Sequence, residues 1–266
     1  MKKSFNMEEF LLKYPYAKEK IEQYAININS LKEIYDDFVK YEISYENHAN
    51  FIANIFRSVE SVHSVKSRVK NPERLIEKII RKTGDRKEKY GNDFEFSVDN
   101  YKNEINDLIG IRVIHIFKDQ WQAIHEFIMK TWKVIEVTAN VREGDNTKPF
   151  EELNIEVRSR ISGYRSVHYL VEFYPTNEKV IAEIQVRTIF EEGYGEIDHT
   201  LRYSHHEIPE ILKSNLLLFN RIVGSADEMA SLINDLSKEW CDKEKEYLQL
   251  IEAQRKEIEE LKKLKK

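Results

Sequence analysis

The sequence predicts an α+β fold in which helices flank a mixed β-sheet. Apolar residues recur every three or four positions near both ends of the chain, a spacing typical of amphipathic helices. The middle of the chain contains four short runs rich in β-branched residues, which indicate strands, and a helical pattern lies between two of them. Apolar residues make up 41% of the 266 residues, which is enough for a sizeable core.

These patterns divide the chain into three segments. A helical region covers residues 1–60, a sheet domain covers residues 61–209, and a helical extension covers residues 210–266. No linker is recognisable between them, since the chain contains only 8 Gly and 5 Pro.

The N-terminal region carries apolar residues at helical spacing in two stretches. They are Leu31, Ile34, Phe38 and Tyr41, followed by Phe51, Ile55, Val59 and Val62. Ser30 with Glu33 has the form of a capping box, which predicts that a helix begins there.

The sheet domain and the extension follow different patterns. The predicted strands are Ile109–Phe117, Val134–Val137, Val167–Phe173 and Val180–Val186, and Gln120–Trp132 is predicted as a helix. In the extension, Lys243, Gln254 and Glu257 interrupt a heptad repeat of apolar residues. We therefore expect one-sided packing of this helix rather than a long coiled coil.

Composition excludes several classes of protein. The chain has 42 Lys and Arg against 47 Asp and Glu, and a net charge of −5 argues against coating of nucleic acid along its whole surface. The single Cys241 excludes a disulfide framework and a Cys-rich zinc module. No apolar run is long enough for a membrane span, and the first residues lack the apolar core of a signal peptide. We expect a cytoplasmic protein without a membrane partner.

A local basic segment stands out against this acidic background. Residues 57–90 contain eleven Lys or Arg and five Asp or Glu. After Lys70, the basic residues Arg74, Lys78 and Arg81 follow at helical spacing and form a stripe on one helix face. Such a basic stripe can hold several phosphate oxygens at once. A solvated helix face would produce the same pattern.

Two predicted strands carry acidic residues that could share a metal ion. Asp107 precedes one strand, and Glu183, Gln185 and Arg187 share one face of another by their spacing of two. Two carboxylates on neighbouring strands could hold one divalent cation through oxygen. A strand-starting Asp and an exposed edge strand are the alternative explanations. Gly110 would allow a ligand or another backbone to approach closely.

A turn followed by a strand supplies a further candidate. Gly163 permits a tight turn, Tyr164 can present an aromatic face, and Ser166 and His168 share one strand face. Such a set suits a nucleobase and its phosphates, although a plain turn and half-buried strand would also account for it. The later pair His205 and His206 has no companion Cys and no convincing metal spacing.

In this order, the motifs resemble the synthetase domain of the RelA/SpoT family of alarmone synthetases. They are Ser67-Arg-Val-Lys70 with Lys78, Asp107-Leu-Ile-Gly-Ile-Arg112, Gly163-Tyr-Arg-Ser-Val-His168, Glu183-Ile-Gln-Val-Arg-Thr188, and Asp198-His199 with Leu201 and Tyr203. The resemblance implies a sheet related to nucleotidyltransferase folds. It also implies Mg²⁺-dependent transfer of the β,γ-pyrophosphate of ATP to the 3′-hydroxyl of GDP or GTP, which releases AMP.

The resemblance assigns the donor side to basic residues. Arg68 and Arg112 would hold the adenine, and Lys70, Lys78 and Arg81 would hold the ATP phosphates. These assignments agree with what the residues suggest by themselves, because phosphoryl-type transfer needs cations around the moving group.

The resemblance assigns the metal and the acceptor to the other motifs. Asp107 would ligate Mg²⁺, with Glu183 beside the metal and the attacking hydroxyl as a base or a second ligand. Tyr164 would stack on the acceptor base, and His168 and Gln185 would contact the acceptor nucleotide.

Departures from the family pattern gather on this acceptor side. Arg160, which would also contact the acceptor, stands where the family commonly has Lys, and Ser162 stands where it has Asn. A toxin-type relative that pyrophosphorylates the 3′ end of tRNA is therefore an alternative, and an inactive binding or regulatory homologue is another. The flanking helices could mediate homo-oligomerisation or bind a regulatory partner.

Overall fold

A computed structural model describes residues 5–175, 179–204 and 209–264. The chain divides into two compact units. The first comprises residues 1–116 with 120–192, and the second comprises residues 117–119 with 193–266. The sheet and the N-terminal helices belong to the first unit, and most of the C-terminal helical part belongs to the second.

The N-terminal part is helical, as predicted. It contains α1 (Met7–Lys13), α2 (Tyr16–Gln23) and α3 (Ile28–Phe56). The side chain of Asn27 accepts the backbone N–H of Asn29 at 2.9 Å and caps α3. The capping box predicted at Ser30 and Glu33 is therefore wrong, because the helix begins before both residues.

The second apolar stretch of α3 is displaced by one residue from the predicted stripe. Phe51 is 59% exposed, whereas its neighbours Ile52 and Ala53 are buried. The core-facing residues of this turn are Ile52 and Phe56. A helix turns 100° per residue, so a shift of one position moves the buried face to different side chains.

The remaining elements alternate between helix and strand. They are β1 (Ser64–Val69), α4 (Pro72–Tyr90), α5 (Tyr101–Glu104), β2 (Ile109–His115), α6 (Gln120–Thr131), β3 (Lys133–Val141), α7 (Lys148–Glu151), β4 (Glu156–Ser159), β5 (Ser166–Phe173), β6 (Val180–Thr188), α8 (Ile189–Ser204) and α9 (Glu210–Leu264). The four predicted strands are present as β2, β3, β5 and β6. The short strands β1 and β4 were not predicted, because charged side chains interrupt their apolar pattern.

The six strands form one mixed sheet in the order β1-β2-β6-β5-β3-β4. The β2–β6 and β3–β4 pairs are parallel, and the other pairs are antiparallel. The mixed sheet with flanking helices confirms the predicted fold class. Within the described part of the chain, no helix combines the length and the apolar composition needed to cross a bilayer.

One face of the sheet belongs to the hydrophobic core. Ala182, Ile184 and Val186 of β6 are buried, as their spacing of two predicted. The register places them beside Ile109, Ile111 and Val113 of β2, which are also buried. The core-facing side chains of α4 are Leu75, Ile76, Ile79 and Ile80. Because alternate residues point to opposite faces, this packing leaves the polar residues of β2 and β6 on the other face.

Candidate active site

Polar side chains from four strands meet in one row across that second face. Arg112 on β2 pairs in register with Lys66 on β1 and with Gln185 on β6. Gln185 in turn pairs with His168 on β5. Residues that are far apart in the sequence thus lie side by side, and three of the four were predicted to bind nucleotide.

The next row contains a glycine for a steric reason. Arg68, Gly110 and Glu183 are in register on β1, β2 and β6. A Cβ at Gly110 would lie 2.9 Å from Arg68 Nε and 3.2 Å from its Cγ. The group that lies against Gly110 is therefore the Arg68 side chain, whereas the sequence had suggested a ligand or another backbone.

Asp107 lies between two lysines at the edge of this face. Its carboxylate is 2.7 Å from Lys70 Nζ and 2.9 Å from Lys78 Nζ. The bond from Lys70 N–H to the Leu108 carbonyl, 2.9 Å long, fixes the end of β1 beside the start of β2. The side chain of Asn71 caps α4, the helix that carries Lys78.

Burial and charge act on this cluster in opposite directions. Burial alone would raise the pKa of Asp107, but the two ammonium groups outweigh it and hold the pKa below its ordinary value. Burial lowers the pKa of Lys70, and the nearby Asp107 carboxylate opposes that change. The charge states of Asp107 and Lys70 therefore depend on each other.

Glu183 is held on the same face by its neighbours. His168 Nδ1 lies 3.3 Å from Glu183 Oε1, and Gln185 Nε2 donates to Oε2 at 2.8 Å. Burial tends to raise the pKa of Glu183, but the hydrogen bond from His168 helps to keep it below its ordinary value. The negative charge of Asp107 acts to raise the same pKa.

Tyr164 continues this hydrogen-bond network. Gly163 before it has a φ of 73°, a conformation that glycine adopts readily. The Tyr164 hydroxyl is 3.1 Å from His168 Nε2 and accepts from Arg187 Nη2 at 2.9 Å. A consistent donor order has Arg187 donating to Tyr164, Tyr164 to His168 Nε2, and His168 Nδ1 to Glu183. The predicted acceptor residues Tyr164 and His168 therefore touch Glu183 directly or through one another.

Glu192, in the first turn of α8, was missed by the sequence analysis as a site residue. Its buried carboxylate lies 3.1 Å from Lys66 Nζ and 3.2 Å from both Arg112 Nη1 and Arg187 Nη1. An acidic residue in a first helical turn, five residues after Arg187, was the available signal. The identity of its partners depends on the register of three strands, which the sequence does not reveal.

Two predicted site residues have other partners. Arg81 pairs with Glu77 one turn earlier on α4, and its side chain is 48% exposed. Arg160 donates from Nε to Asn140 Oδ1 at 2.6 Å. Among the described residues, neither makes an ion pair or hydrogen bond with Asp107 or Glu183. His205 and His206 lie outside the described residues.

The donor set bears on the kind of cation that the site could take. Within residues 5–175, 179–204 and 209–264, no group of three or more His, Cys, Asp or Glu is arranged to hold a metal. Asp107 and Glu183 supply carboxylate oxygens only. Mg²⁺ commonly uses one or two carboxylates and takes its other ligands from phosphates and water, so this pair fits Mg²⁺ together with a phosphorylated substrate.

A mixed sheet that carries two carboxylates among lysines and arginines is typical of proteins that handle phosphorylated ligands. Residues 67–208 match the family model described as the region found in RelA/SpoT proteins. This match covers more than half of the chain, and the chain belongs to the RelA/SpoT family.

Two relatives from Bacillus subtilis (strain 168) are similar along most of their length. The chain is 28% identical over 187 residues to the GTP pyrophosphokinase YwaC, covering 66% of this chain and 75% of YwaC. It is 27% identical over 235 residues to the GTP pyrophosphokinase YjbM, covering 85% of this chain and 87% of YjbM.

Solved structures share the fold. The small alarmone synthetase 1 from Bacillus subtilis matches with a TM-score of 0.61 at 21% identity, over 77% of this chain and 99% of that chain. The same enzyme bound to its product pppGpp matches with a TM-score of 0.59 at 19% identity, over 76% and 99%. These likenesses show that the architecture is that of small alarmone synthetases.

Proposed function

We propose that this protein transfers the β,γ-pyrophosphate of ATP to the 3′-hydroxyl of GDP or GTP, forming ppGpp or pppGpp and AMP. The family membership and the two relatives named GTP pyrophosphokinase support this activity. The observation that carries the proposal is the position of two carboxylates on neighbouring strands. Asp107, which pairs with Lys70 and Lys78, stands two residues before β2, and Glu183 lies on β6 in register with Gly110 of β2.

On the donor side, cationic groups would bind the triphosphate. Lys70 and Lys78 would exchange part of their contact with Asp107 for phosphate oxygens, and Arg68 and Arg112 would lie against the adenine. Asp107 and Glu183 would hold Mg²⁺, which when bound would offset charge on the phosphates. The basic residues would orient ATP before transfer, and such orientation supplies much of the rate of this class of reaction.

On the acceptor side, Tyr164 would stack on the guanine base while His168 and Gln185 contact the nucleotide. Glu183 would orient the 3′-hydroxyl and accept its proton as the oxygen attacks the β-phosphorus. The bond between the β-phosphorus and the oxygen that bridges to the α-phosphate would then break, and AMP would leave. His168, which donates to Glu183, would fix the direction of that carboxylate.

The test is a transfer assay with purified protein, Mg²⁺ and ATP labelled in the γ-phosphate. GDP, GTP and deacylated tRNA are offered separately as acceptors. Label on GDP or GTP is the expected result. Label on tRNA alone would support the toxin-type alternative, and no label on any acceptor would support an inactive homologue.

A further inference from the structure

Two loops meet at the end of strand β3. The sheet order places β3 between β4 and β5, so the segment that joins β4 to β5 passes over the end of β3. We name this segment, residues 160–165, the acceptor loop, because it carries Tyr164. Strand β3 ends at Val141 and continues into residues 142–147, which we name the β3–α7 loop. The N–H of Arg160 donates to the Val141 carbonyl at 2.9 Å, so the two loops begin side by side.

A largely buried ion pair joins the two loops. Asp145 Oδ2 accepts from Arg165 Nε at 2.6 Å, and Asp145 Oδ1 accepts from Arg165 Nη2 at 3.0 Å. The side chain of Arg165 is 8% exposed and that of Asp145 is 15% exposed. A two-point contact between a guanidinium and a carboxylate fixes both the distance and the direction of the two groups. The pair therefore holds the acceptor loop at a defined position against the β3–α7 loop.

The Asp145 carboxylate is also fixed within its own loop. It accepts the backbone N–H of Arg142 at 2.9 Å, and the Asp145 N–H donates to the Arg142 carbonyl at 3.1 Å. Gly144, inside this turn, has a φ of 87°, which glycine adopts readily. Burial tends to raise the pKa of Asp145, but the guanidinium groups of Arg165 and Arg142 hold it below its ordinary value. Asp145 is therefore a negative charge at neutral pH whose position does not depend on Arg165 alone.

The residue next to Arg165 is Tyr164, which the site uses. The Tyr164 hydroxyl is held from the sheet by the bonds described above. The main chain of Tyr164 follows the tight turn at Gly163 and leads directly into Arg165. Because Tyr164 and Arg165 share a peptide bond, a shift of the Arg165 backbone would move the tyrosine ring as well. The ion pair with Asp145 therefore fixes the ring at its main-chain end.

We infer that Asp145 is a positioning residue for the acceptor nucleotide, and that it acts through Arg165 on the ring of Tyr164. The inference rests on the proposed function, in which this ring stacks on the acceptor base. The proposed donor side depends instead on Asp107 and its two lysines. Loss of the ion pair should therefore weaken binding of the acceptor and leave binding of ATP nearly unchanged.

The first test measures label transfer by the purified full chain from ATP to GDP or GTP, whichever the wild type uses with the lower KM. Asp145→Asn keeps the size of the side chain and removes its charge. It should raise KM for this acceptor about 10-fold and leave KM for ATP within about two-fold of wild type. Arg165→Lys keeps the charge but loses the two-point contact, so it should raise KM for the acceptor with a smaller loss of stability.

The matched control is an ion pair of similar burial away from the acceptor loop. Glu104 Oε2 lies 2.5 Å from Arg86 Nε, and the two side chains are 17% and 21% exposed. Glu104→Gln should lower the free energy of unfolding, as Asp145→Asn does, but should leave both KM values unchanged. Urea unfolding of all the variants shows whether the stability losses are comparable.

The second test separates positioning of the ring from a general loss of structure. In a Tyr164→Ala background there is no ring to position, so Asp145→Asn should raise KM for the acceptor by less than about two-fold. A purely structural effect would add in full to that of Tyr164→Ala. With an active wild type, such additivity, an unchanged KM for the acceptor in Asp145→Asn or an equal rise in KM for ATP would overturn this inference alone. A wild-type chain that transfers label to neither GDP nor GTP would overturn the proposed function, and this inference with it.

Discussion

Arg187 Nη1 lies 3.2 Å from Glu192 Oε2, and the two side chains are only 3% and 7% exposed. The same arginine donates to the Tyr164 hydroxyl, and its guanidinium carbon is 5.3 Å from the centre of the tyrosine ring. Glu192 also pairs with Arg112. One buried carboxylate therefore fixes an arginine on the proposed donor side and, through another arginine, the tyrosine on the acceptor side.

Replacing Glu192 should weaken the binding of ATP and the binding of the acceptor together. Glu192→Gln leaves Arg187 buried without its countercharge, and we expect the free energy of unfolding to fall by about 3 kcal/mol. KM for ATP and KM for the acceptor should both rise, with Glu192→Asp recovering part of each because it keeps the charge. Steady-state kinetics and urea unfolding measure these effects. A variant that loses stability but keeps both KM values would show that Glu192 does not position the site.

The two carboxylates should be essential for transfer and dispensable for folding. Asp107→Asn and Glu183→Gln should each lower kcat at least about 100-fold, because each removes a charge beside the reacting phosphates. Label transfer measures the rate, and circular dichroism checks the fold. Glu156→Gln on the edge strand β4 is the control, and it should keep full activity. Near-normal turnover in either site variant would refute the assignment of that carboxylate.

Tyr164 should act through its ring more than through its hydroxyl. Tyr164→Phe removes the bonds to His168 and Arg187 but keeps a stacking surface, so KM for the acceptor should rise about 5-fold. Tyr164→Ala also removes the stacking, and KM should rise roughly 10- to 100-fold. Both are measured at saturating ATP. Equal effects of the two variants would contradict a stacking role.

Lys78 and Arg81, two basic residues of α4, should differ in how much they contribute to ATP binding. Lys78 pairs with Asp107 and is 22% exposed, whereas Arg81 pairs with Glu77 and is 48% exposed. We expect Lys78→Ala to raise KM for ATP at least about 10-fold, in line with the loss of one charged contact. Arg81→Ala should raise it only a few-fold. A larger effect of Arg81→Ala would mean that this side chain leaves Glu77 when ATP binds.

The ion pairs of Asp107 should make stability depend on pH. Its pKa in the folded protein is below the ordinary value of 3.8, so the ion pairs stabilise the protein above that pH. This contribution is lost as the pH falls from 3.8 toward the folded-state pKa. Asp107→Asn should therefore be less stable than wild type at pH 7, and the difference should shrink below about pH 4. Urea unfolding at pH 7, 5 and 3.5 measures it. A difference that grows in acid would contradict the lowered pKa.

Elements with a strong local pattern could be predicted from the sequence, and elements that depend on pairing with a neighbour could not. The central strands β2 and β6 have uninterrupted apolar faces, so both their existence and the polar face with Glu183 and Gln185 could be predicted. The edge strands β1 and β4 owe their structure to pairing with a neighbour, and their charged side chains hide the strand pattern. The start of α3 at Ile28, capped by Asn27, was missed because Ser30 and Glu33 offer a capping pattern three residues after Asn27.

Site residues that stand in a recognisable sequence motif could also be predicted, whereas those that depend on tertiary contacts could not. Asp107 and its lysines could be proposed because each stands in a recognisable motif, but their mutual contacts come from the docking of α4 beside the start of β2. Glu192 could not be identified, because its role depends on the strand register that brings Lys66, Arg112 and Arg187 to it. Arg81 was predicted to bind phosphate from its helical spacing, and in the structure its side chain pairs with Glu77.

The direct pairing of β2 with β6 has a consequence for folding during synthesis of the chain. Ile109 pairs with Ala182, so the strand that carries Glu183 is made last and inserted between two strands made earlier. A nascent chain that has emerged only as far as residue 175 already holds Asp107 and the lysines, yet its sheet is still open in the middle. Because such non-local pairing forms late, Glu183 can take its place beside β2 only after synthesis has passed β6.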